Sequence, residues 1–97
     1  MRTLMTIELD TAAANPMIAD GTGLKAMQEL IEQLKPECAY FAPMNGKRAC
    51  FIVFDMQDAA QLPAITEPLF QGPHASVNFA PVMTLEDVQR GLQAVQM

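Results

Sequence analysis

Apolar and polar side chains alternate along the first residues of the chain. Residues 2–9 read RTLMTIEL, and one face of this segment carries Thr3, Met5, Ile7 and Leu9. Because successive side chains point to opposite faces of a strand, a period of two is typical of a strand with one buried face. This segment is therefore predicted to be the first strand.

A connection and an amphipathic helix are predicted next. Residues 10–22, DTAAANPMIADGT, are small and polar. Their Asn-Pro step favours a loop or a short helical turn beginning at Pro16, with a lid as the alternative. The helix is predicted from Asp20 or Thr22 to Lys35, with a proline directly after it. Its apolar positions recur at helical spacing and are Leu24, Met27, Leu30, Ile31 and Leu34.

The Asn45-Gly46 step predicts a tight β-hairpin between strands at residues 38–44 and 49–55. Both turn residues tolerate the positive φ that a type I′ turn requires. Opposed residues share a face, so one face carries Tyr40, Ala42, Ala49, Phe51 and Val53, and the other carries Phe41, Cys50, Ile52 and Phe54. Both faces are too apolar to be left in water.

The next segments predict a broken helix and a fourth strand. Residues 57–70 keep a helical spacing of apolar positions but contain two prolines. This favours a kink or two short turns, with Asp55 or Asp58 as the cap. Residues 74–83 alternate as a strand, and Pro81 places the end of this strand at a sheet edge or a bulge.

The last segment, TLEDVQRGLQAVQ, predicts a C-terminal helix. Thr84 and Asp87 have the spacing of a capping box. A single apolar stripe is formed by Leu85, Val88, Leu92 and Val95. Gly91 costs about 1 kcal/mol relative to alanine, so this helix is predicted to be marginal or in close contact with a neighbour.

This order of elements predicts an α+β fold in one domain, residues 1–97. The arrangement βαββαβ is ferredoxin-like, with a four-stranded antiparallel sheet in the order 4-1-3-2 and the helices on one face. With 51% hydrophobic and 18% charged residues, the chain is more apolar than an average soluble domain. We therefore expect the other sheet face to be buried against a second copy of the chain in a homodimer.

Charge and hydropathy exclude several classes of partner. The net charge of −5 argues against a nucleic-acid partner, which needs clustered Lys and Arg. No apolar run approaches the ~18 residues of a membrane helix, and the N-terminus lacks the apolar block of a signal peptide. We expect no membrane association and a cytoplasmic location.

The two cysteines are expected to be free thiols. The predicted hairpin pairs Cys38 with Val53 and Cys50 with Phe41, which separates the thiols by roughly 10 Å along the ladder. A disulfide requires Cα atoms within about 7 Å. With no CxxC spacing and only His74 as a further ligand, no metal site is expected, and nothing indicates haem or another cofactor.

Three segments, NGKRACFIVFDMQD, LPAITEPLF and ASVNFAPVMTLEDV, carry a resemblance to known proteins. Together with the order of elements, they resemble the dimeric α+β barrel superfamily, and more narrowly a family of uncharacterised bacterial proteins with that fold. The resemblance implies that two ferredoxin-like subunits press their open sheet faces together. Superfamily relatives include muconolactone isomerases, cofactor-free monooxygenases and stress-responsive proteins, but no catalytic residue transfers to a position in this chain.

Polar side chains on two neighbouring strands are the first candidates for a ligand site. Thr6 and Glu8 share the less apolar face of the first strand, and Ser76 and Asn78 share that of the fourth. A desolvated Glu8 in such a place can act as a general base, whereas a solvated or salt-bridged Glu8 has only a structural role.

Three further positions carry alternatives of the same kind. Tyr40 can aim its hydroxyl at a ligand or pack against Phe51. His74 follows a Gly-Pro step and can transfer a proton or simply lie exposed. Lys47 and Arg48 flank the hairpin tip, where they solvate the turn or, as the minor alternative, contact an anion.

Two functions follow from these patterns. One is a non-catalytic or ligand-binding homodimeric module, whose ligand is a small apolar or aromatic molecule. The alternative is a cofactor-free enzyme of the monooxygenase or isomerase type acting in the barrel cleft. An interior cavity of roughly 300 Å³ or more, lined by residues such as Thr6, Glu8, Tyr40 or Asn78, would favour the enzyme or a ligand carrier.

Overall fold

The computed structural model describes residues 1–96, which form an α+β domain. The strands are β1 (Arg2–Glu8), β2 (Cys38–Met44), β3 (Lys47–Asp55) and β4 (Ser76–Pro81). The helices are α1 (Thr11–Ala19), α2 (Thr22–Leu34), α3 (Leu62–Gln71) and α4 (Leu85–Val95), with a short 3-10 turn at Ala59–Gln61 before α3. No helix within residues 1–96 has the length and apolarity needed to cross a lipid bilayer.

The sheet confirms the predicted topology and hairpin register. Its four strands are antiparallel in the order β2-β3-β1-β4, which is 4-1-3-2 read from the other edge and is consistent with a ferredoxin-like fold. Asn45 and Gly46 both have positive φ, as a type I′ turn requires. Cys38 lies opposite Val53 and Cys50 opposite Phe41, and both cysteines are free thiols.

Helices α2 and α3 cover one face of the sheet. The side chains of Met5, Ile7 and Ile52 are completely buried there. They form a single core with Ile65 of α3, against which apolar residues of α2 also pack. The face of the hairpin that carries Cys50, Ile52 and Phe54 is therefore the one turned toward the helices.

The predicted loop at residues 10–22 was wrong, because residues 11–19 form the helix α1. Asp10 caps this helix, and its carboxylate accepts a hydrogen bond from the backbone N–H of Ala13 at 2.9 Å. Pro16 lies inside the helix, where it removes one backbone hydrogen bond. Only Ala14 of this helix is fully buried. The alanine-rich sequence has no apolar stripe at helical spacing, so periodicity did not indicate a helix.

The prolines of α3 have less effect than the sequence predicts. Asp58 caps the preceding 3-10 turn, and α3 then continues to Gln71 without a break. Pro63 lies in the first turn of α3. Backbone N–H groups there have no intrahelical acceptor, so a proline at this position costs the helix no hydrogen bond. Pro68 lies within the helix.

Helix α4 projects from the domain. Thr84 and Asp87 form the predicted capping box, and the helix runs through Gly91 without interruption. Leu85, Leu92 and Val95 remain exposed, so most of the apolar stripe of α4 is open to solvent. The radius of gyration is consequently 15.6 Å, against about 12.5 Å for a compact domain of this length.

Candidate functional site

A large apolar cavity lies between the helices and the hairpin end of the sheet. Its volume is about 610 Å³, within the range of small-molecule binding sites. Helices α1, α2 and α3 form its walls, and strands β1, β2 and β3 form its floor. Its buried and half-buried apolar lining includes Ile7, Leu30, Cys50, Ile65 and Leu69.

A close approach of α1 to α2 builds one wall of this cavity. A Cβ atom added to Gly23 of α2 would lie 3.2 Å from the carbonyl oxygen of Met17 in α1. Because such a contact is tighter than side chains normally allow, glycine at this position lets the two helices meet. Both Met17 and Gly23 line the cavity.

Several apolar side chains of the cavity lining are exposed to solvent. Ile18, Leu24 and Phe41 are 47%, 64% and 57% exposed, and all three line the cavity. Single exposed apolar residues are ordinary, but a group of them around a concave site is typical of a binding surface.

Few polar side chains reach the cavity. Arg48 lies at the start of β3, and its Nη2 donates a hydrogen bond of 2.9 Å to Oδ1 of Asn15 in α1. The backbone carbonyl of Arg48 accepts a hydrogen bond of 2.9 Å from the N–H of Leu9, which fixes the start of β3 against β1. Glu29 and Gln33 approach from α2.

Cys50 is the one cysteine that lines the cavity within the described part of the chain. Burial raises the pKa of its thiol to about 11, because the thiolate would lose its hydration in this apolar setting. The thiol is therefore protonated at neutral pH and is a poor nucleophile, since the thiolate is the reactive form.

The polar residues that the sequence analysis singled out on β1, β2 and β4 lie on the opposite face of the sheet, here called the open face. The strand register places Tyr40, Phe51, Thr6 and Asn78 in one row across all four strands. Glu8 lies directly opposite Ser76 in the next row. The pairing of these polar residues on neighbouring strands follows the sequence pattern, but they do not line the cavity.

Glu8 has a hydrogen-bond partner at the edge of the open face. Its Oε1 accepts a hydrogen bond of 2.7 Å from Nδ2 of Asn45 at the hairpin tip. Tyr40 is 68% exposed, beside Phe51 in the same row. His74 is exposed in the loop before β4 and has a φ of 51°.

The sequence pattern did not predict the cavity, because it did not predict the helix α1 that forms one of its walls. The signal available was Asp10, a good cap, followed after Thr11 by three helix-forming residues, Ala12, Ala13 and Ala14. No cluster of three or more His, Cys, Asp or Glu side chains suited to a metal ion occurs within residues 1–96. No model of a known protein family matches the chain, and no curated protein matches it.

Proposed function

We propose that this protein is a small-molecule-binding module whose ligand occupies the cavity between the helices and the sheet. The observation that carries this proposal is the cavity itself, about 610 Å³ in volume and lined almost entirely by apolar side chains. Burial of apolar ligand surface contributes about 25 cal/mol per Å², so such a lining favours an apolar or aromatic molecule.

Binding is better supported than catalysis. A cofactor-free enzyme needs a group poised to move a proton or attack the substrate. Cys50 is held in its protonated form, and Thr6, Glu8 and Asn78 lie on the other side of the sheet. The cavity lining is mostly apolar, which supports binding of a ligand through shape and apolar contact.

The same proposal includes a homodimer formed through the open face, as in the dimeric α+β barrel superfamily. Leu4, Phe51 and Val53 lie at the centre of this face and are only half-buried. A second copy placed on the face by a twofold axis would bury the same apolar surface on both chains. We further propose a cytoplasmic location, to which two free cysteines on opposite faces of the hairpin are suited.

Binding of a neutral fluorescent probe tests the cavity. We expect 1-aminoanthracene to bind the wild-type protein saturably, with enhanced fluorescence. Ala64 of α3 lines the cavity and is exposed, so Ala64→Phe should fill part of the space and weaken binding by about tenfold or more. Ala12→Phe is the matched control, because Ala12 is an exposed helical alanine away from the cavity lining.

Two outcomes would count against the proposal. One is a wild-type protein that shows no saturable binding of the probe. The other is equal binding by wild type, Ala64→Phe and Ala12→Phe, which would place the probe elsewhere on the surface. Far-UV circular dichroism of each variant establishes that it is folded.

A further inference from the structure

The three arginines of the chain differ in how their charges are satisfied. Arg2 pairs with Glu37, with 2.6 Å between its Nε and Oε1 of the glutamate. Arg90 pairs with Asp87 within α4. Arg48 forms no ion pair within residues 1–96, and the hydrogen-bond partner of its side chain there is the neutral amide of Asn15.

Arg48 is also the arginine that lines the cavity. Strand periodicity places its side chain on the same face of β3 as Cys50 and Ile52, which is the face covered by helices. The contact with Asn15 holds the guanidinium between β3 and α1. Both side chains are exposed, so solvent reaches the guanidinium. Its other N–H donors form no hydrogen bond with described residues and can bind a planar anion.

We propose that the ligand of this cavity is an amphipathic monocarboxylate, with its apolar body inside the cavity and its carboxylate on Arg48. This inference rests on the binding function proposed above and specifies the chemical class of the ligand. A guanidinium matches a carboxylate with two parallel hydrogen bonds, which fixes the orientation of the ligand as well as adding affinity.

The charges around Arg48 favour a ligand that carries a single negative charge. Glu29 is the one carboxylate among the described lining residues, and it approaches from α2. The net charge of the chain is −5, so a multiply charged anion would be repelled by both the local and the overall field. One carboxylate on a large apolar body satisfies Arg48 without adding further unpaired charge.

Displacement of 1-aminoanthracene by matched pairs of competitors tests this inference. The aromatic pair is 2-naphthoate and 2-naphthylmethanol, and the aliphatic pair is decanoate and decanol, each below its aggregation limit. For wild-type protein we expect the acid to bind about tenfold more tightly than its alcohol in at least one pair. The preferred pair then distinguishes an aromatic acid from a fatty acid.

Variants of the two contacting residues assign the preference to Arg48. Arg48→Gln should weaken binding of the acid more than binding of the alcohol and so remove the preference, whereas Arg48→Lys should retain part of it. Asn15→Asp leaves the arginine in place but gives it an internal carboxylate partner, so it should also reduce the preference. Glu32→Gln is the control, because Glu32 is an exposed carboxylate of α2 outside the cavity lining, and this variant should preserve the preference.

The outcomes separate this inference from the proposed function. Binding of the neutral probe with equal affinities for acid and alcohol in both pairs would overturn the carboxylate and leave the binding function standing. The carboxylate contact would also be overturned if Arg48→Gln and Asn15→Asp both kept the full preference. Absence of any probe binding would overturn the binding function, and this inference with it.

Discussion

Asn45 and Glu8 are 37 residues apart in sequence, yet Nδ2 of the asparagine donates a hydrogen bond of 2.7 Å to Oε1 of the glutamate. This contact joins the tip of the β2–β3 hairpin to the last residue of β1. Ala49, the partner of Glu8 in the ladder, is buried beneath this corner of the sheet. The glutamate thus has a structural contact at a position that the sequence had suggested for proton transfer.

Replacement of Glu8 separates these two roles. Glu8→Ala should lower the free energy of unfolding by about 0.5–1 kcal/mol, because it removes an exposed hydrogen bond. Glu8→Gln keeps an oxygen that can accept from Asn45 and should unfold like wild type in urea. A loss of probe binding in Glu8→Gln with unchanged stability would instead show that the carboxylate serves the ligand site.

The proposed dimer predicts that a charge placed on the open face will dissociate it. Tyr40 is exposed next to Phe51, and Tyr40→Glu would place a carboxylate in the apolar interface, where its desolvation is costly. Sedimentation velocity should show a dimer for wild type at micromolar concentration and a monomer for Tyr40→Glu.

The control for this experiment is Phe70→Glu. Phe70 is another exposed aromatic residue, but it lies on α3 in the helical layer, so this variant should remain dimeric. A well-folded wild-type monomer at micromolar concentration would refute the dimer.

The Gly91→Ala substitution is predicted to raise the helicity of α4 without stabilising the rest of the domain. Nothing lies within 4 Å of a Cβ atom added to Gly91, so Gly91→Ala should stabilise the helix by about 1 kcal/mol. Far-UV circular dichroism should show more helix, whereas the urea midpoint of the domain should not change. A shifted midpoint would mean that α4 packs against another surface in solution.

Gly23→Ala is the contrasting substitution. Its new Cβ atom would lie 3.2 Å from the carbonyl oxygen of Met17, so α1 would have to shift away from α2 by a few tenths of an ångström. We expect a lower urea midpoint and weaker probe binding, because the same contact forms a wall of the cavity. Unchanged stability and binding would show that α1 moves without consequence.

The raised pKa of the buried Cys50 thiol predicts that the protein loses stability at high pH. Its folded-state pKa is raised to about 11, so the folded chain retains a proton that the unfolded chain loses above about pH 8.5. The contribution of the buried neutral thiol to the free energy of unfolding is complete below the unfolded-state pKa of about 8.5. It declines as the pH rises toward the folded-state pKa of about 11. The measurement is the free energy of unfolding in urea across this pH range. It should decline less steeply with pH for Cys50→Ala than for wild type, and Cys38→Ala should behave like wild type.

The hairpin and the capping box of the last helix could be predicted from local sequence because their causes are local. Asn45-Gly46 sets the turn and hence the pairing of Cys38 with Val53, and Thr84 with Asp87 starts the last helix. The cavity could not be predicted in this way. Polar residues marked the open face in sequence, whereas the cavity lies on the opposite face, is apolar and has no motif.

The sequence by itself determined the strands, the hairpin register and the apolar character of both hairpin faces, and the order of the elements along the chain predicted the sheet order. Periodicity and turn chemistry act over a few residues, so they can be read along the chain. Only the tertiary structure decided which face the helices cover, that residues 11–19 form a helix, and that Arg48 meets Asn15 beside a cavity. These features depend on contacts between segments distant in sequence, such as α1 and β3, which no local pattern specifies.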